Sequence, residues 1–188
     1  MTQPLFDLNA TPRIETDRLI LRGWRADDFE PFAEMMADPE VAQFLTMDQA
    51  PAEPPLSWHA MAVFVGHWAM RGYGLYVVEE KATGAFVGRV GAWRPEGWVG
   101  FELGWALSRQ HWGKNYAYES ARAAGDWIFD AFPLEHLVSL IHVDNLRSQR
   151  LAQRLGMSAV TETMHAGMPH AIWAIAREDW VRTRRAAA

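Results

Sequence analysis

Hydrophobic positions recur every second residue most clearly between Phe101 and Leu107. Phe101, Leu103, Trp105 and Leu107 fall on one face of an extended segment, and Glu102, Gly104 and Ala106 on the other. The second face is narrow and carries one acid. From Ala117 the period changes, because Ala117, Ala121, Ala124, Ile128 and Ala131 follow helical spacing, which predicts a helix starting within residues 113–116. Upstream, residues 14–24 alternate Leu19 and Leu21 with Arg18, Ile20 and Arg22 and predict a half-buried strand. Asp27 and Asp28 open a helix over 26–36 with Phe29, Phe32, Met35 and Met36 as its apolar stripe. Asp38-Pro39 breaks it, ahead of a short turn over 40–45. Ser57 is placed to cap a helix over 58–70 whose apolar side is Met61, Val65, Trp68 and Ala69 and which Gly72 stops. Strands are predicted over 75–80 and 85–93 around a turn at 81–84, and a turn at 95–97 leads into the Phe101 strand. This part of the sheet is expected to be antiparallel. Residues 137–143 then form an apolar strand, reached by a helical crossover and so expected to run parallel to the Phe101 strand. Asp144 or Asn145 caps a helix that buries Leu151 and Leu155 and ends at Gly156, and 170–176 forms the last strand.

With 188 residues and 49% hydrophobic content the chain suits one domain, placed over 13–182, with an arm at 1–12 and a frayed end at 183–188. A net charge of −5 argues against general nucleic-acid binding. Positive charge is nevertheless concentrated at Arg109, Lys114, Arg147, Arg150 and Arg154, as a small polyphosphate ligand requires. The absence of cysteine excludes disulfides, thiolate metal sites and a cysteine nucleophile. Seven histidines show no metal-binding spacing, so no metal is expected. No apolar run reaches the roughly 20 residues of a membrane span, and the N-terminus lacks a signal-peptide pattern, so the expectation is a cytoplasmic protein with no membrane partner. Neither a Walker-type phosphate loop nor a G-x-S-x-G elbow occurs, which argues against nucleotide and serine hydrolases.

Between the Phe101 strand and the next helix lies Gln110-His111-Trp112-Gly113-Lys114-Asn115. A loop opening onto a helix N-terminus presents unpaired N–H groups and the positive end of the dipole, a combination suited to pyrophosphate. The strand, Q-x-x-G-x at 110–114, Tyr116-Ala117 and Glu119 resemble the acetyl-CoA loop of the GNAT acetyltransferases. Asn115 stands where that family usually has Gly or Ala, and asparagine tolerates left-handed backbone better than most residues. Glu15-Thr16-Asp17-Arg18-Leu19-Ile20-Leu21-Arg22 resembles the first strand of the RimJ/RimL-like branch. Asn145 and Ser148, followed by Arg154-Leu155-Gly156-Met157, resemble the second GNAT landmark. The resemblance spans about 14–180.

It implies an α/β (α+β) GNAT acyl-CoA N-acyltransferase fold: a mixed, mostly antiparallel sheet flanked by helices, with parallel strands 4 and 5 splayed to admit the thioester end of acetyl-CoA. It implies direct acetyl transfer to a primary amine, with no covalent enzyme intermediate. The branch favours the α-amine of a protein N-terminus and also includes enzymes acting on small amines, amino acids and antibiotics. The resemblance carries cofactor binding onto Trp105, Ala106, Leu107, Gln110, His111, Trp112, Gly113, Lys114, Asn115, Tyr116, Asn145 and Ser148. Many members have a tyrosine seven residues after that asparagine to protonate the leaving thiolate. Here the position is Ala152, and Ser148 is the substitute donor. Backbone N–H groups around 105–107 would stabilise charge on the thioester oxygen. Glu102 is the candidate base and ammonium contact, since an α-amine of pKa about 7.7 to 8.0 needs only a modest base. Trp24 and Trp93, with the proline-rich loop at 51–55, are expected to wall the acceptor side. The rival expectation is a non-catalytic acyl-CoA-binding or sensing protein, motivated by Asn115 and the missing tyrosine, with a bare interaction module a further alternative. Exposed strand edges leave a homodimer open.

Overall fold

Alternation dictates a sheet with two unlike apolar faces, and the computed structural model, which describes residues 11–186, builds it from eight strands. Strands β1 (Ile14–Glu15) and β2 (Leu19–Arg22) lead into helices α1 (Phe29–Ala37), α2 (Pro39–Ala42) and α3 (Pro54–Arg71). Strands β3 (Leu75–Glu80), β4 (Phe86–Trp93) and β5 (Glu102–Leu107) follow, then α4 (Tyr116–Ala131), β6 (His136–His142) and α5 (Leu146–Arg154). The chain ends in β7 (Ser158–His165), β8 (Met168–Ala176) and α6 (Arg177–Ala186). The spatial order is β1-β2-β3-β4-β5-β6-β8-β7, antiparallel except for β5 against β6.

One face packs on α4, where Leu21, Tyr76, Val90, Leu103 and Leu107 meet Ala121, Ala124 and Ile128. The other packs on α1 and α3, where Leu75, Val77 and Ala106 meet Phe32, Met35 and Phe64. Register fixes which residues share the second face. Val77, Arg89 and Ala106 form one row, Leu75, Gly91 and Gly104 the next, and Trp93 and Glu102 the third. The parallel pair is held by a single pairing, Glu102 with Val138. Beyond it side chains span the widening gap, as Ser139 Oγ donates to the Leu103 carbonyl at 2.7 Å and the Leu140 N–H donates to Glu102 Oε1 at 3.3 Å. The splayed parallel strands expected from the sequence are therefore β5 and β6, fifth and sixth here because the first strand is divided.

Other expectations need correction. The strand expected over 14–24 breaks at residues 16–18, where Thr16 and Arg18 turn to Glu119 on α4, and β2 is buried at all four positions. Arg22 can be buried there because Asp28 and Glu79 take its donors. Helix α3 begins at Pro54, not after Ser57. Proline suits a first helical position, which has no N–H to satisfy, so Ser57 lies inside the helix, buried, with an unpartnered Oγ. Of the expected stripe of Met61, Val65, Trp68 and Ala69 only Trp68 is buried; the other buried residues of α3 are Ser57, Phe64 and His67. Strand β7 gives no sequence signal because most of it is exposed at the sheet edge, so no face alternates toward a core. It joins β8 through Ala166 and Gly167, both at positive φ, as a two-residue hairpin requires. Helix α6 continues to Ala186, across residues expected to fray. All but residues 11 and 12 of the expected N-terminal arm lie outside the described residues.

Candidate active site

Strand β5 ends at Leu107 and passes through a 3₁₀ turn (Arg109–His111) before α4 begins. Two left-handed residues, Gly113 at φ 77° and Asn115 at φ 65°, turn the chain into the helix. Asn115 occupies the N-cap without capping: its Oδ1 accepts from Arg154 Nη2 at 2.8 Å, which leaves the first-turn N–H groups of α4 uncapped. A Cβ at Gly113 would meet nothing within 4 Å, so the loop stands open at this point.

Beside the loop lies a cavity of about 460 Å³. Trp105, Ala106 and Leu107 line it from β5, and His111, Trp112, Gly113, Asn115 and Tyr116 from the loop and α4. Asn145 and Ser148 close it from α5. Its polar rim is Arg147, Arg150 and Arg154. Arg147 lies 4.2 Å over the Trp112 ring and Arg154 4.6 Å over Tyr118, so aromatic faces hold two of the three cations in place. Glu40 on α2 reaches across to Arg109 at 3.1 Å and Arg147 at 3.4 Å. Trp112 Nε1 donates to the Leu107 carbonyl at 2.9 Å and pins the loop to the strand. His111 is buried, with its Nε2 unpartnered and its pKa lowered chiefly by that burial, which keeps the ring neutral.

Ser148 is oriented from two sides. Its N–H donates to Asn145 Oδ1 at 3.1 Å, capping α5, and its Oγ accepts from Trp105 Nε1 at 3.2 Å. Indole nitrogen is a donor only, so the serine hydroxyl keeps its own proton to give.

Other expected residues stand elsewhere. Gln110 and Lys114 do not line the cavity, and Lys114 Nζ lies 3.5 Å from His111 Nδ1 and 5.7 Å from the Tyr116 ring centre. Trp24 and Trp93 do not line it either. They belong to an aromatic layer between the sheet and α3, Trp24 at 5.2 Å from Phe32 and Trp93 at 4.6 Å from His67. Glu102 lies outside the cavity, where the strands part. Trp98 Nε1 donates to its Oε2 at 2.6 Å, and burial pushes its pKa up to about 7 against the lowering effect of Trp98, the Leu140 N–H and Arg89.

Three features escaped the sequence. Arg89 shares a sheet face with Glu102, a relation visible only once the register of β4 and β5 is known. Trp98 comes from a loop with no period. His142 pairs across the sheet with His170 at a ring distance of 5.3 Å, and His165 lies 5.5 Å beyond. Among the described residues no group of three side chains is arranged to hold a metal ion.

The cavity fits a long nucleotide thioester. Arginines and an uncapped helix N-terminus at its rim suit phosphates, and apolar walls lead inward to a serine hydroxyl beside an opened strand pair.

Comparison with known proteins agrees with this geometry. Residues 18–158 match the family of the Acetyltransferase (GNAT) domain. The Bacillus subtilis protein YkkB is 31% identical over 157 residues, 80% of this chain and 87% of its own length. Among solved structures, the acetyltransferase from Agrobacterium tumefaciens str. C58 superposes with a TM-score of 0.78 at 27% identity, covering 88% of this chain and 95% of its own. RimL, a ribosomal L7/L12 alpha-N-protein acetyltransferase in complex with coenzyme A, shares the fold with a TM-score of 0.72 at 16% identity, covering 88% and 98%. The chain belongs to the GNAT acetyltransferase family and is an acetyl-CoA-dependent acetyltransferase.

Proposed function

We propose that this protein transfers the acetyl group of acetyl-CoA to a primary amine, with Glu102 as the base and Ser148 as the proton donor to the leaving sulfur. The observation that carries the assignment is the continuity of the cavity, from the Arg147, Arg150 and Arg154 rim to the Ser148 hydroxyl at the β5–β6 gap. When bound, acetyl-CoA supplies an activated thioester. Arg147, Arg150, Arg154 and the N–H groups of the first turn of α4 hold its phosphates, while Trp105 and Leu107 flank the acyl end.

On the opposite side of β5, Glu102 sits near neutral pH at the middle of its titration, where a carboxylate is an effective proton acceptor. It takes the amine proton through water, since it does not line the coenzyme cavity itself. An α-amine asks less of this base than a lysine with its pKa of about 10.4, which favours an amine of lower pKa. The RimJ/RimL-like sequence of β2 and the likeness to RimL support the RimJ/RimL-like branch and keep a protein N-terminal amine and a small-molecule amine as the two acceptor types. The acyl-CoA sensor alternative loses one of its two motives, because Asn115 directs its side chain to Arg154. The test is release of free thiol from acetyl-CoA on addition of primary amines. Amine-dependent release supports the proposal, and coenzyme binding without release under any amine contradicts it.

A further inference from the structure

Arg22 is buried and has its donors taken, whereas the half-buried Arg89 on the same face does not. Arg22 lies on the same face and in the same row as Arg89, through Arg22–Val77–Arg89–Ala106. Its Nε donates to Glu79 at 2.6 Å, its Nη1 and Nη2 to Asp28 at 2.8 and 2.7 Å, and its Nη1 also to the Gly23 carbonyl at 3.0 Å. Arg89 has none of this. Its Nε is fully buried with no partner, and among the described residues no acceptor takes any of its donors. The guanidinium rests on the Phe64 ring at 5.1 Å, and Glu102 is the one carboxylate acting on it. A guanidinium carries five donors in a rigid fork, and leaving them unmatched in a partly buried site is costly unless a ligand completes them.

The surroundings point the same way. Between the Arg89 row and the Glu102 row run Leu75, Gly91 and Gly104, of which the two glycines project no side chain. A Cβ at Gly104 would lie 3.7 Å from both Glu102 Oε1 and Leu75 Cδ2, so the glycine sits directly between the carboxylate and that leucine. The two rows are four residues apart, roughly 13 Å of strand, with two long side chains reaching in from the ends. On α3 opposite, Ser57 Oγ and His67 Nε2 are also buried and unpartnered. Ala106, at the end of the Arg89 row, lines the coenzyme cavity, so this face runs into the site of transfer.

We propose that the acceptor is a small zwitterion, a primary amine bearing a carboxylate a few bonds away, as in a free α-amino acid, whose carboxylate is held by Arg89 while its ammonium faces Glu102. This rests on the acetyl-transfer assignment and sharpens it. A protein N-terminus offers no carboxylate beside its amine and leaves the Arg89 fork empty. A buried bidentate fork rejects the uncharged analogue because its donors are then left unmatched.

The experiment compares free amino acids with their carboxamides in the thiol-release assay, alongside calorimetric titration of the same compounds into the CoA-bound protein. The carboxamide has the lower amine pKa and so the larger neutral fraction near pH 7, which favours it wherever the carboxylate makes no contact. The expected result is kcat/KM higher for the acid by roughly 10- to 100-fold, the scale of a charged hydrogen-bonded contact. In Arg89→Met this preference collapses through KM, and Arg89→Lys restores part of it. Coenzyme binding by each variant serves as the folding control. Equal or faster turnover of carboxamides or peptides by the wild type overturns the Arg89 assignment and leaves acetyl transfer standing, as does an unchanged preference in Arg89→Met. No turnover with any amine contradicts the acetyl-transfer assignment. In that case calorimetry decides the Arg89 site, which amino acid binding lost in Arg89→Met supports and absent binding overturns.

Discussion

Replacing Glu102 by glutamine separates a functional carboxylate from a merely buried one, because the two roles leave different marks on pH dependence. Burial raises the Glu102 pKa from the ordinary 4.5 to about 7, so the folded protein binds this proton more tightly than the unfolded chain does. The stability this proton gives is complete below pH 4.5 and is lost as the pH rises through 7. At 1.36 kcal/mol per pKa unit the loss is on the order of 3 kcal/mol. Glutamine does not titrate. Trp98 and Leu140 bind different carboxylate oxygens, and glutamine puts an NH2 donor in place of one of them, so Glu102→Gln carries a constant penalty of about 1–3 kcal/mol at every pH. The slope is therefore the observable. The unfolding free energy of Glu102→Gln, relative to wild type, should rise by about 3 kcal/mol between pH 4.5 and pH 8, which corresponds to roughly 6–12 °C in relative Tm for a chain of this size. Thermal and denaturant unfolding across that pH range measures it. In parallel, the acid limb of kcat/KM with an apparent pKa near 7 should vanish in the variant. A stability difference that stays flat with pH refutes the burial argument. A surviving limb near 7 refutes Glu102 as the base.

Ser148→Ala should lower kcat about tenfold, equivalent to about 1.4 kcal/mol, while coenzyme affinity changes little; a wild-type turnover rate removes the hydroxyl from proton delivery. Gly125→Ala, normally favourable inside a helix, should instead destabilise by about 1–3 kcal/mol in denaturant unfolding. The added Cβ would fall 2.3 Å from the buried Trp180 ring, and an unchanged or raised midpoint contradicts that packing. Glu119→Ala should cost about 1–3 kcal/mol by releasing Thr16 and Arg18 from α4, and the wild-type contribution should fade as acid protonates a carboxyl whose pKa its Thr16 and Arg18 hydrogen bonds lower. Equal losses of stability on acidification in wild type and variant would argue against that link.

How much of this was legible in the sequence depended on whether a residue's role is local. The period-2 run at 101–107, the helix stop at Gly72 and the cap at Asn145 are written within a few residues, and the structure places them where the pattern does. Ser148 and the cradle backbone also lie within such local segments, and the structure sets both against the cavity. Ser57 misled because proline can start a helix as well as serine can cap one. Strand β7 was invisible because an exposed edge strand needs no apolar face. Arg89 and the His142–His170 pair were missed for a deeper reason: each acquires meaning from a neighbour across the sheet, and register is a property of the fold. Trp24 and Trp93 were legible only as large aromatics; their places against Phe32 and Phe64 follow from how α1 and α3 pack on the sheet.

The most direct test of the central claim is a single stoichiometry: free coenzyme thiol and N-acetylated amine, counted together by absorbance and mass spectrometry in one reaction containing acetyl-CoA and a panel of primary amines. Acetyl transfer to an amine predicts one N-acetyl product for each thiol released, abolished when the amine is omitted. Thiol release without acetylated amine, or tight coenzyme binding with neither product, would contradict it.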